Sequence, residues 1–358
     1  MAAPHETDAD RFAGGAARTA ASIGADGWWD AGAIGRGVDV AVVDTGIAPV
    51  ELLTGRLIAG VDLTGGNDPF NDRSGHGTHL AGIIAGRTTH VGSFSGIAPA
   101  SRVVSVKVAH DDADTDVASV IAGLEWVLRY GRDDELAIRV VNLAFCSVPL
   151  ATHRIDPLAD VAEQLWQAGV LVVTAAGRWT GGGLTSPAYD PHLLAVGAHD
   201  DDGQDLDGGD DAPAGRRGPD LFAPGFEIVG PRAPGSTADR VGSRRGNAAG
   251  LVRGSGTSQA AAVVSGAAAL LLGRRPDLSP DGVKRALVGG ARNGPAGRLL
   301  DLSDIDVDEL EDPLGRDRIP VGAGSRWAGS RWAGSRWAGS RWAGSRWAGS
   351  RWAGSRWA

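Results

Sequence analysis

A chain of 358 residues, 42% of them hydrophobic, has enough apolar material for one large core or two modest ones. Its formal net charge of -8 argues against nucleic acid as the default partner, and the single cysteine, Cys146, excludes an internal disulfide framework. No stretch approaches the roughly twenty apolar residues of a membrane-spanning helix. The opening "MAAPHETDADRFAGGAARTA" lacks the apolar segment of a secretory signal, so the expectation is a cytoplasmic protein, or a secreted one if the gene begins further upstream.

After an N-terminal extension (1–21), the apolar run "VDVAVVDTG" (38–46) predicts a buried strand ending in a turn. "HGTHLAGIIAG" (76–86) has helix length, and "RVVSVKV" (102–108) predicts a second strand. An acidic stretch with Asp111, Asp112, Asp114 and Asp116 leads into a helix over 116–131. "IRVVNLAFC" (138–146) predicts a strand, and 156–169 a helix on which Leu158, Val161, Leu165 and Trp166 share a face. Strands follow at "GVLVVTAAG" (169–177), which opens into a glycine-rich loop at Arg178 and Trp179, and at "LLAVGA" (193–198). Strands alternating with helices imply a parallel sheet covered on both faces.

A glycine- and acid-rich insertion occupies 199–220, and an Ala-rich helix is expected over 258–273. A shorter helix begins after "LSPDG", with Ser279 as its N-cap. The main domain is read as 22–300, with an acidic linker over 301–323. From 324 to 358 the chain repeats "GSRWA" seven times; a period of five suits neither helix nor strand, and this composition is expected to be disordered. The seven Arg of that tail leave 28 basic residues against 43 acidic ones in the rest, so a positive tail is tethered to an acidic body.

Three motifs carry chemistry, in the order Asp, His, Ser: "VVDTG" with Asp44 at a strand end, "NDRSGHGTHLAGIIAG" with His76 at a helix start, and "GSGTSQAA" with Ser258 at the start of the Ala-rich helix. A serine hydroxyl attacks well only when an imidazole removes its proton, and the imidazole needs a carboxylate to fix its tautomer. A helix N-terminus adds a dipole and free N–H groups for a developing oxyanion. An aspartic peptidase would need two "DTG" motifs, and only one occurs. His79 is expected to be a buried, hydrogen-bonded histidine, and Ser255 an ordinary loop hydroxyl.

These boxes resemble those of the subtilisin-like serine peptidases (subtilases, peptidase family S8), together with "SGIAPAS" (95–101), "VVNLAF", "SPAYDPHLLAVGA" (186–198) and "DLFAPG" (220–225), over roughly residues 22 to 292. The resemblance implies an α/β, subtilisin-like three-layer fold with a mostly parallel central sheet flanked by helices. It implies hydrolysis of peptide bonds through an acyl-enzyme, with Asp44 orienting, His76 as general base and Ser258 as nucleophile. Peptide or protein substrate would pair as an added strand against "LAFCS" (143–147) and "AHDDADTD" (109–116). Ala144 and Cys146 then stand near the primary specificity pocket, Cys146 on its wall or as a core thiol. Asp111 and Asp112 form either an acidic rim favouring basic substrates or a solvated loop without a role. No cofactor is required; the family allows calcium, but "DDDGQDLDGGDD" lacks a regular ligand pattern.

Several positions depart from the family. Arg178 stands where an oxyanion-binding Asn is expected; outright loss of such a donor costs roughly 10²–10³ in turnover, although Arg itself carries donors. Gln259, Ala262 and Val263 replace Met, Pro and His in the serine box. The alternative to a peptidase is a catalytically silent subtilase fold that binds or scaffolds peptides. The tail is expected to dock back on the acidic body or to be trimmed by the enzyme. Its rivals are contact with an anionic membrane surface or nucleic acid, without specificity for the latter, and a functionless repeat expansion.

Overall fold

The valine-rich runs become the centre of one sheet. The computed structural model describes residues 17–87, 94–111, 113–133, 135–177, 183–206, 217–243, 250–311 and 346–347. Its first strands in chain order are β1 (Asp39–Asp44), β2 (Leu57–Asp62), β3 (Arg102–Lys107), β4 (Ile138–Leu143), β5 (Phe145–Cys146), β6 (Leu171–Ala175), β7 (Leu194–His199) and β8 (Leu221–Pro224). All of these but β5, with β11 (Arg292–Gly294) and β12 (Gly297–Leu299), make a nine-stranded sheet in the order β11-β12-β8-β7-β6-β4-β1-β3-β2. Every pairing in it is parallel except β11 with β12. Each residue of β1, β4, β6 and β7 is buried, as strands covered on both faces must be.

Edge elements are those the apolar pattern did not announce. β2 is the outermost strand and only half-buried, so its sequence mixes Gly and Asp with apolar residues. β9 (Ile228–Pro231) and β10 (Leu251–Gly254) form a separate antiparallel ribbon of four residues a side. Such short segments carry almost no periodicity.

Helices α2, α3 and α5 start where side chains cap them, whereas α1 and α4 start at glycines. Helix α1 (His76–Ala85) is buried at all its residues. In α2 (Val117–Tyr130) the Asp116 carboxylate accepts the Ser119 N–H at 2.7 Å, and in α3 (Pro157–Gln167) Asp156 accepts from Leu158 at 3.0 Å, with Pro157 in the first turn. Helix α4 (Thr257–Arg274) is buried continuously from Thr257 to Leu272 and packs against α1, β4, β6, β7 and β8. Its alanines permit that close approach, and an all-round apolar helix belongs in the interior. Ser279 caps α5 (Pro280–Gly290) by accepting the Gly282 N–H at 3.1 Å, as its sequence predicts.

The acidic stretch after residue 300 begins on the core. Leu302 is buried, Ile305, Val307 and Leu310 pack against buried residues, and Arg275 donates to the carbonyls of Val307 and Leu310. In the repeat tail, expected to be disordered, β13 (Arg346–Trp347) pairs antiparallel with Cys146 and Phe145 of β5. The repeat has no strand period of its own; the open backbone edge of β5 supplies the template. Among the described residues, no helix is long and apolar enough to cross a membrane.

Candidate active site

Asp44 is the last residue of β1 and His76 the first of α1. His76 Nδ1 lies 2.8 and 2.9 Å from the two carboxylate oxygens of Asp44, and both residues are 0% exposed. A carboxylate only accepts, so Nδ1 carries the proton and Nε2 is left as the basic nitrogen. The glycines of "GHG" make this approach feasible. Gly75 sits at φ 89, and a Cβ there would lie 2.6 Å from Ser236 Oγ. At Gly77 a Cβ would come within 2.2 Å of the Gly46 carbonyl and 3.2 Å of Asp44, so any side chain would push the helix off the strand end.

A second carboxylate, which sequence reasoning did not single out, organises the junction. Asp72 accepts from the Thr45 hydroxyl at 2.8 Å, the Gly75 N–H at 2.7 Å, and the Thr78 N–H and hydroxyl at 2.8 and 2.6 Å. Thr45 in turn donates its N–H to Asp44 at 2.7 Å and accepts the Gly77 N–H at 3.0 Å. The buried Lys107 donates to the carbonyls of Thr45 (2.7 Å) and Asn71 (3.0 Å). The available signals were an acid in the turn before a helix start and a cation ending an apolar strand.

His79 is fully buried, and burial, with His76 as a second cause, pushes its pKa down to about 3. It is a neutral core histidine, as expected, bonded to the backbone of Ile228.

Ser258 is the second residue of α4 and fully buried. It stands at the positive end of an 18-residue helix whose other end is remote, beside α1, against which α4 packs. Gly256, at φ 143, precedes the helix and donates to the Gly225 carbonyl at 2.8 Å, tying its start to the turn after β8. Ser255 accepts the Glu227 N–H at 2.9 Å, an ordinary loop contact. The next side chain, Gln259, is fully buried, and among the described residues neither end of its amide meets a hydrogen-bond partner.

The groove residues separate. Ala144 is buried, whereas Cys146 is half-buried, and a Cβ on Gly177 would sit 3.1 Å from its Cβ. Cys146 therefore flanks the left-handed turn, φ 64 at Gly177, that leads out of β6. The following Arg178 lies outside the described residues, and so does Asp112. Asp111 is on the wall of a cleft of about 430 Å³ shared with Asn71, Asp72, Arg73 and Arg240. Arg73 pairs with it at 3.1 Å and Lys107 lies 4.0 Å away, so its charge is compensated locally. Asp116 is a helix cap. In the acidic insertion Asp200 accepts from the N–H groups of Asp202 and Gln204, closing a turn, while 207–211 lie outside the described residues.

The model of the Subtilase family matches residues 35–305. Serine protease AprX of Bacillus subtilis (strain 168) is 35% identical over 72% of this chain and 61% of its own. Subtilisin Savinase of Lederbergia lenta is 34% identical over 69% of this chain and 81% of its own. The crystal structure of a cold adapted subtilisin-like serine proteinase has a TM-score of 0.61 at 28% identity, covering 75% of this chain and 89% of that one. The chain thus spans about three fifths of the length of AprX. The matched segment holds β1, α1 and α4, each carrying one member of the Asp, His and Ser order, and the chain belongs to the Subtilase family.

Proposed function

We propose that this chain is a serine endopeptidase acting through Asp44, His76 and Ser258. The observation that carries the reading is the buried Asp44–His76 hydrogen bond at the end of β1, on elements packed against α4, whose first turn carries Ser258. His76 Nε2 removes the Ser258 hydroxyl proton as Oγ attacks the scissile carbonyl, and Asp44 stabilises the imidazolium that forms. The same proton passes to the leaving amine, and a water activated by His76 then releases the acyl group. The Ser258 N–H at the α4 terminus donates to the oxyanion, with Arg178 as its second donor.

Substrate joins the free edge of β5 as an extended strand, placing side chains against Cys146. That edge pairs with Arg346 and Trp347, so the tail is an internal ligand of the groove, a competitor that is also a cleavage candidate. A fluorophosphonate probe tests the reading: it labels the wild type and spares Ser258→Ala. A folded wild type that resists labelling identifies instead a silent peptide-binding fold, the reading that the Arg178 substitution would favour.

A further inference from the structure

Away from the Asp44–His76 pair, His153, Glu163 and Asp190 each bring a potential ligand atom within 4.8 Å of the other two. They converge from three separate segments: the 3-10 turn His153–Ile155, helix α3, and the turn that follows Pro187. Asp190 is the fixed member. It is 0% exposed, its Oδ1 accepts the His192 N–H at 2.9 Å, and its Oδ2 receives no N–H among the described residues and faces the Glu163 carboxyl. Two carboxylates side by side in a buried site are costly unless a shared proton or a bound cation lies between them.

Arg154 acts on Glu163 from the solvent side, and two further cations of the neighbourhood are bound to the turn itself. Arg217 donates to the carbonyls of Ala188, Asp190 and Leu193 and to Asp220; Lys284 donates to the carbonyls of Pro191 and Leu193 and pairs with Asp220. Together they clamp the turn so that Asp190 cannot swing away. His153 and Glu163 are only half-buried; the His153 ring stands edge-on to Tyr189 and His192, and the Glu163 carboxyl adjoins Asp190.

We propose that His153, Glu163 and Asp190 form a divalent-cation site of the zinc type, distinct from the catalytic residues. One imidazole with two carboxylates suits Zn²⁺ and disfavours Ca²⁺ or Mg²⁺, which take oxygen ligands. Metal–ligand bonds of about 2.0–2.1 Å put tetrahedral donors about 3.4 Å apart, so the two half-buried side chains move inward by about 1 Å and water completes the shell. The ion joins the His153–Ile155 turn and the middle of α3 to the 187–190 turn. Ser186, at the head of that turn, exchanges both backbone hydrogen bonds with Ser147 at 3.0 Å, and Ser147 follows Cys146 in β5. Metal binding therefore stiffens the segment that flanks the groove.

The test uses the full chain carrying Ser258→Ala, stripped with chelator, so that self-cleavage does not intrude. Calorimetric titration with ZnCl₂ is expected to show one equivalent bound, a rise in Tm, and visible ligand-field bands of low-coordinate Co²⁺ when CoCl₂ is used instead. Glu163→Gln and His153→Gln, at half-exposed positions that the fold tolerates, each weaken Zn²⁺ binding by more than about tenfold and abolish the Tm rise. The proposal is overturned by absence of saturable Zn²⁺ binding, by affinity unchanged in both variants, or by an equal Tm rise with CaCl₂.

Discussion

Thr45 Oγ1 lies 2.8 Å from Asp72 Oδ1 and 3.1 Å from Asp44 Oδ1, so one hydroxyl joins the carboxylate that holds His76 to the carboxylate that holds the start of α1. The imidazole is thus oriented twice, directly by Asp44 and indirectly by a helix end that cannot shift. Asp72→Ala strands the Gly75 and Thr78 N–H groups and the Thr78 hydroxyl in a buried site. A loss of more than about 3 kcal/mol is expected in urea unfolding, since each orphaned buried donor costs about 1–3 kcal/mol. Glutamate at this position should not rescue, because its longer stem cannot occupy the same space.

His79 makes stability depend on pH in a definite direction. The unfolded imidazole titrates near 6.5, whereas the folded one holds out to about 3 because of burial. Between those values the unfolded chain binds a proton that the folded chain refuses, so stability is complete above pH 6.5 and falls as the pH drops toward 3. His79→Gln should flatten the acid limb of Tm against pH measured on the Ser258→Ala background.

Gln259 buries an amide with neither end partnered, beside the nucleophile. Replacement by Met keeps the volume and removes the polar atoms. Gln259→Met is expected to stabilise the fold by about 1–3 kcal/mol, read by chemical denaturation. A destabilised variant would mean that the amide has a partner in the folded protein.

Arg346 and Trp347 pair with the β5 edge that the proposed function assigns to substrate. Removing residues 324–358 should accelerate fluorophosphonate labelling and lower the KM for peptide substrates. In intact-mass spectra the wild type should show shortened C-termini, and Ser258→Ala should remain full length. Unchanged labelling after truncation would place the Arg346–Trp347 pairing outside the route that substrate takes.

The centre of this fold was legible because it is apolar and periodic. β1, α1 and α4 lie within one or two residues of the predicted ranges, and Ser279 caps as its position indicates. The edges were not: β2, β9 and β10 are short or half-buried, and what holds them is the neighbouring strand rather than their own pattern. The same distinction separates the site residues. Asp44 and His76 were readable because their motifs are local. Asp72 was not, because its meaning depends on donors from residues 45, 75 and 78 meeting at one point. Asp111 and Asp116 looked alike in an acidic run, yet one pairs with Arg73 and the other caps α2. Charge in a loop acquires its role from partners distant in sequence.

Time-resolved fluorophosphonate labelling measures directly the proposed activation of Ser258 by the Asp44–His76 pair. With that activation, covalent modification of the wild type at Ser258 is expected, none in Ser258→Ala, and labelling slowed by orders of magnitude in folded His76→Ala. A wild type that keeps its fold yet takes up no probe, or one that labels equally well without His76, would contradict it.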